Sequence, residues 1–109
     1  MALSSKETAL HTRIVTRADE RLRFLEALVR INSGSANLPG IEAVGDRVKP
    51  AFDDLGFTTH WHLPERGHQR ERAARSLVAR RKGAAGATPI FVTAHLDTVF
   101  EPADGFEGF

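Results

Sequence analysis

Pro89-Ile90-Phe91-Val92-Thr93-Ala94 is a nearly continuous apolar run of strand length, and it constrains the chain more than any other stretch. A run that is apolar on both faces predicts an interior strand covered on both sides, as in a sheet flanked by helices. The segments before it give the order helix, helix, strand, strand, with this run as a third strand. That order predicts an α/β layer architecture whose sheet the chain only begins. The 109 residues suffice for one modest core and are too few for two ordinary domains. With 41% hydrophobic and 27% charged residues the composition is that of a globular protein.

Residues 1 to 15 have weak periodicity and read as a flexible leader. From Thr16 the pattern tightens. Thr16-Arg17-Ala18-Asp19 approximates a capping box with Asp in place of Glu, Asp19 and Glu20 suit a first turn, and Arg30 suits a last one. Leu22, Leu25, Leu28 and Val29, widened by Phe24 and Ile31, form the apolar stripe of this helix, and Asn32-Ser33-Gly34-Ser35 stops it. A second helix is predicted from Pro39 or Gly40 to Leu55 by Ile41, Val44, Val48, Phe52 and Leu55, with Gly56 as its C-terminal cap. Pro50 predicts a kink or break at Lys49.

The period then changes to two. Phe57, Thr59, Trp61 and Leu63 alternate with Thr58, His60 and His62, as in a half-buried strand ended by Pro64. Residues 65 to 75 have no apolar face and read as a loop. Ser76 to Arg80 is a candidate strand, and Gly83-Ala84-Ala85-Gly86 a turn.

Absence of cysteine excludes disulfides, thiolate metal sites and a cysteine nucleophile, so any metal must be held by His, Asp or Glu. No apolar run approaches the roughly 20 residues of a membrane span, and the N-terminus lacks the apolar stretch of a signal peptide. The expectation is a cytoplasmic protein without a membrane partner. Fifteen basic and fourteen acidic residues leave a net charge of +1, which provides no general attraction to nucleic acid.

Chemistry concentrates in Ala94-His95-Leu96-Asp97-Thr98-Val99, at the carboxyl end of the apolar run. In open α/β sheets, catalytic groups gather beyond the carboxyl ends of strands. A neutral imidazole ligates zinc well, and a carboxylate two residues on can orient the ring or bind metal itself. The tripeptide alone is common by chance.

Residues 19 to 99 together are more specific. The opening helix ends in Leu28-Val29-Arg30-Ile31-Asn32-Ser33-Gly34-Ser35, Pro39-Gly40-Ile41-Glu42-Ala43-Val44-Gly45 follows, Leu55-Gly56-Phe57 leads into a strand, and Ile90 to Val99 closes the series. This resembles the N-terminal part of the zinc-dependent aminoacylase and carboxypeptidase family, especially glutamate carboxypeptidases of the carboxypeptidase G type. Acetylornithine deacetylase and succinyl-diaminopimelate desuccinylase belong to the same group. The resemblance implies the N-terminal part of a three-layer catalytic domain with helices packed on a mixed sheet, spanning residues 1 to 109. It implies a metallopeptidase or amidohydrolase using two zinc ions on a small acyl-amino acid or peptide substrate. His95 matches a zinc-binding histidine, and Asp97 the catalytic acidic residue that supports it. The remaining ligands, the general base and the insert that makes the complete protein a homodimer would lie downstream. The chain stops at Glu107-Gly108-Phe109, soon after the motif, and reads as a fragment that is inactive alone.

Weaker signals take ordinary readings. His60 and His62 share a strand face without a carboxylate nearby and read as an exposed polar face. Arg66, Arg70, Arg72, Arg75, Arg80, Arg81 and Lys82 face one acid, Glu71, between positions 66 and 82. This supports an alternative, a small module binding nucleic acid or an acidic partner, but interleaved aromatics are missing. Trp61 reads as a packing residue. Ser33, Ser35 and Ser76 lack the G-x-S-x-G context of a nucleophile elbow.

Overall fold

The computed structural model describes residues 2–63 and 74–106. They belong to two compact units, residues 2–30 and 31–106, and the secondary structure is mixed, with three helices and a two-stranded antiparallel sheet.

The first unit is a pair of helices, α1 (Ser5–Thr16) and α2 (Ala18–Val29). Helix α1 occupies the segment expected to be a leader. Its start is fixed locally by a reciprocal capping box: the Glu7 amide donates to Ser4 Oγ at 3.3 Å, and the Ser4 amide donates to the Glu7 carboxylate at 2.7 Å. The cap expected at Thr16 does not form. Thr16 is instead the last residue of α1, with its hydroxyl donating to the Thr12 carbonyl at 2.9 Å, and α2 begins at Ala18 without a side-chain cap. Arg17 bridges the junction through Glu20 at 3.0 Å. The apolar stripe expected on α2 is only partly covered: Phe24, Leu28 and Val29 are half-buried, whereas Leu22 and Leu25 are exposed.

In the second unit, α3 (Leu38–Asp54) packs on a hairpin of β1 (Thr58–His62) and β2 (Ser76–Arg80). Asn37 caps α3 by accepting the Gly40 amide at 3.2 Å. Gly40, Ile41, Val44 and Gly45 are its buried residues, with Val48 and Phe52 half-buried on the same stripe. Complete burial of a side chain such as Ile41 or Val44 stabilises by about 2 kcal/mol, so two of them make only a small core. The helix runs through Pro50 without a break. Proline costs the bond that its amide would have given Asp46, but Pro50 and Asp46 are both exposed, where water can satisfy the carbonyl. Lys49 and Asp53 pair across the proline at 3.1 Å.

Helix α3 ends as its glycine predicts. Gly56 has φ +78°, a left-handed conformation that disfavours side chains, and this lets its amide reach the Asp53 carbonyl at 2.9 Å. The next amide, of Phe57, reaches the Phe52 carbonyl at 3.0 Å, completing a Schellman turn. The Phe52 and Phe57 rings meet edge to face at 5.5 Å and seal it. Arg81 donates to the Leu55 carbonyl at 2.9 Å and lies over the Phe57 ring.

Strands β1 and β2 pair in antiparallel register, with Thr58 opposite Arg80, His60 opposite Val78 and His62 opposite Ser76. Within β1 the alternation read from the sequence is present, with Thr59 and Trp61 half-buried and Thr58, His60 and His62 exposed, but Leu63, expected on the inner face, lies beyond the strand and is exposed. The turn expected around residues 83–86 forms, closed by the Ala87 amide on the Ala84 carbonyl at 3.0 Å. Pro64 and most of the basic loop lie outside the described residues.

The apolar run departs from expectation. Residues 90–94 form no strand, and Ile90, Phe91 and Val92 are 87%, 90% and 81% exposed. An interior strand needs partners on both edges, and the two described strands pair with each other. Among the described residues, no helix is long and apolar enough to cross a membrane.

Candidate functional site

Two loops distant in sequence close on each other after the exposed run. The first, residues 32–37, connects α2 to α3; the second, residues 95–101, leads into a short 3-10 turn at Pro102–Asp104. Asn32 folds the first loop by accepting the Gly34 amide at 3.2 Å, and its side-chain nitrogen donates to the Phe100 carbonyl at 3.1 Å. The loops then run parallel for one bridge between Gly34 and Thr98. The Thr98 amide donates to the Ser33 carbonyl at 2.8 Å, and the Ser35 amide donates to the Thr98 carbonyl at 3.1 Å.

Close approach requires glycine at the centre of this bridge. A Cβ on Gly34 would collide with the Glu101 carboxylate and come within 2.7 Å of the Phe100 carbonyl oxygen. Glu101 also accepts the Ala36 amide at 3.1 Å. Ser33, whose carbonyl takes part in the bridge, is 3% exposed.

This junction holds the predicted residue pair. Asp97 Oδ1 lies 2.9 Å from His95 Nδ1, and Asp97 Oδ2 accepts the Ser35 hydroxyl at 2.7 Å. The Asp97 carboxyl is held below its ordinary pKa, chiefly by the Ser35 hydrogen bond and then by His95, against a smaller opposing effect of burial. An ionised carboxylate only accepts, so a neutral His95 partner carries its proton on Nδ1. That leaves Nε2 with its lone pair, and it makes no hydrogen bond among the described residues. The His95 side chain is 90% exposed, against 36% for Asp97.

Such an arrangement suits a single metal ligand. Metal-bound imidazoles usually donate their second nitrogen to a carboxylate or carbonyl, which fixes the tautomer and raises basicity. The described residues contain no group of three or more metal-ligating side chains, and they do not gather His60, His62 and His95 into one. His60 and His62 lie on the exposed face of β1, as expected.

The basic segment is partly engaged in the fold. Arg75 makes two hydrogen bonds with Glu42, at 2.7 and 2.6 Å, and lies over Trp61 at 5.1 Å. Arg66, Arg70 and Arg72 lie outside the described residues. In the sequence Gly34 and Ser35 read as part of a helix stop, Ser35 also as a nucleophile without its motif, and Glu101 carries no signal. Nothing local marks their part in the site, because Ser35 meets Asp97 across 62 positions. No family model, curated protein or solved structure matches the chain.

Proposed function

We propose that this chain carries the first metal-binding motif of a zinc-dependent hydrolase that cleaves an amide next to a free carboxylate. The observation supporting this reading is the hydrogen bond from His95 Nδ1 to Asp97, with the ring exposed and Nε2 open. His95 would hold one zinc ion through Nε2. Asp97 keeps the proton on Nδ1 and orients the ring, and its negative charge stabilises the imidazole as it donates to a cation. Bound zinc would polarise the scissile carbonyl and lower the pKa of the attacking water.

A catalytic zinc normally takes three protein ligands. His95 and Asp97 supply one ligand and its support, so a site for two zinc ions needs further carboxylates and histidines from beyond these 109 residues. The finer fold reading follows: the α3 and hairpin unit belongs to the N-terminal part of a three-layer domain, where added strands would cover residues 90–94. Substrates would be small acyl-amino acids or peptides, and the complete enzyme a cytoplasmic homodimer.

The experiment is to read the frame past Phe109 and assay its complete product beside the 109-residue chain. The expected continuation contains a segment of the form G-x-G-x-x-D-x-K-G and then adjacent glutamates. The complete product should show chelator-sensitive hydrolysis of acyl-amino acids, and the 109-residue chain none. Robust turnover by the short chain would contradict the need for further ligands from beyond it, and absence of chelator-sensitive hydrolysis in the complete product would contradict the proposal.

A further inference from the structure

Among the described residues, little packs around His95 to fix its orientation. Its side chain is 90% exposed, and its one polar contact among the described residues is the bond from Nδ1 to Asp97. The carboxylate that makes this contact is itself on a loop and 36% exposed, so its orientation depends on what holds its other oxygen. That oxygen is held by Ser35 at 2.7 Å.

Ser35 in turn is pinned by its backbone. Its amide donates to the Thr98 carbonyl at 3.1 Å, and the Thr98 amide donates to the Ser33 carbonyl at 2.8 Å. Thr98 is the residue after Asp97, so a short closed circuit fixes the hydroxyl relative to the carboxylate. The Ser35 hydroxyl has a second acceptor, the Thr98 carbonyl, at 3.2 Å. Its single proton favours the shorter bond to the charged oxygen.

We infer that Ser35 is a positioning residue: it locks the Asp97 carboxylate so that neutral His95 is held in the Nδ1–H form, with Nε2 presented as the donor atom. The inference rests on the reading of His95 as a metal ligand, and it deepens that reading by giving the loop before α3 a part in the site. An unconstrained neutral imidazole prefers the opposite tautomer, with its proton on Nε2. The Ser35–Asp97–His95 chain therefore does in advance what a metal would otherwise have to impose.

The test uses the metal-free chain, labelled with nitrogen-15 at histidine, at a pH where His95 is neutral. The ring-nitrogen shifts give the tautomer ratio directly, independently of zinc binding or turnover. Wild type should show a majority of the Nδ1–H form, Ser35→Ala a majority of the Nε2–H form, and Ser35→Thr, which keeps the hydroxyl, the wild-type ratio. The Thr98 amide resonance reports whether the loop bridge persists. If Ser35→Ala leaves the ratio unchanged with the bridge intact, the inference is wrong. If the alanine variant loses the bridge, the threonine variant decides, and an Nε2–H majority there overturns the inference. Asp97→Ala separates the two levels: a wild-type ratio in that variant would remove the His95–Asp97 link on which the proposed function stands. A change in Asp97→Ala without one in Ser35→Ala removes only the role of Ser35.

Discussion

Gly45 on α3 sits against the outer edge of the Trp61 indole on β1, with no room for a Cβ between them. The same indole donates from Nε1 to Asp46 at 3.2 Å and lies under the Arg75 guanidinium, which Glu42 holds from one turn earlier on α3. Helix and hairpin are thus joined by one aromatic ring, a glycine notch and an ion pair. With so few buried apolar side chains elsewhere in this unit, the notch matters to its stability.

Gly45→Ala sets two effects against each other. Alanine gains roughly 1 kcal/mol of helix propensity over glycine. Overpacking a filled position costs about 1 to 3 kcal/mol, and the collision is with a ring anchored on two sides. The variant should be less stable than wild type in urea unfolding. A stabilised variant would show that the indole is free to move aside.

Gly56→Ala probes the end of the same helix. A side chain at φ +78° costs about 1 to 2 kcal/mol in the left-handed region. The expected result is a lower melting temperature, with Gly56→Asn between the two because asparagine tolerates this conformation better. Equal melting of all three would contradict the Schellman geometry.

Acid should weaken the second unit in a defined way. Glu42 is held below its ordinary pKa mainly by the Arg75 hydrogen bond, Asp53 mainly by Thr59, and Asp97 mainly by Ser35. The unfolded chain, with ordinary carboxylates, takes up protons first as pH falls. Stability from these groups is therefore complete above the ordinary carboxylate range and is lost as pH falls through their lowered values. Glu42→Gln should be less stable than wild type at neutral pH and show a shallower acid decline in chemical unfolding. Parallel pH curves for the two proteins would count against the Arg75 pairing.

Phe91 is 90% exposed within an uncharged apolar run. Its replacement by Glu should change unfolding stability by no more than about 0.5 kcal/mol, and in sedimentation the Glu variant should associate less with concentration than wild type, since exposed apolar β-prone segments self-associate. A large loss of stability would mean that the segment is packed in the folded chain.

Local signals and distant ones differ in how well the sequence displays them. The end of α3 was legible because Gly56 must follow the last turn, and β1 because period-two alternation at Thr59 and Trp61 has one structural meaning. The α1 start is equally local: Ser4 and Glu7 stand at capping-box spacing, although residues 1 to 15 lack the strong apolar periodicity that marks a packed helix. Residues 90–94 misled because an apolar run states a need for partners without supplying them. At the site, the resemblance over residues 19 to 99 singles out His95 and Asp97, which the tripeptide alone does not, and their hydrogen bond forms without a strand around it. The role of Ser35 was not legible, since it comes from a bridge between two loops.

In the proposed function His95 binds metal directly while Asp97 acts through it. Elemental analysis of zinc, with turnover measured on the same samples, tests this in the complete product of the reading frame carrying His95→Ala or Asp97→Asn. His95→Ala should lose zinc and activity together, because it deletes a ligand. Asp97→Asn should keep much of the zinc and lose mainly turnover, because the amide preserves the shape and removes the charge behind the ring. Full zinc content in His95→Ala, or equal and near-complete zinc loss in both variants, would contradict the account.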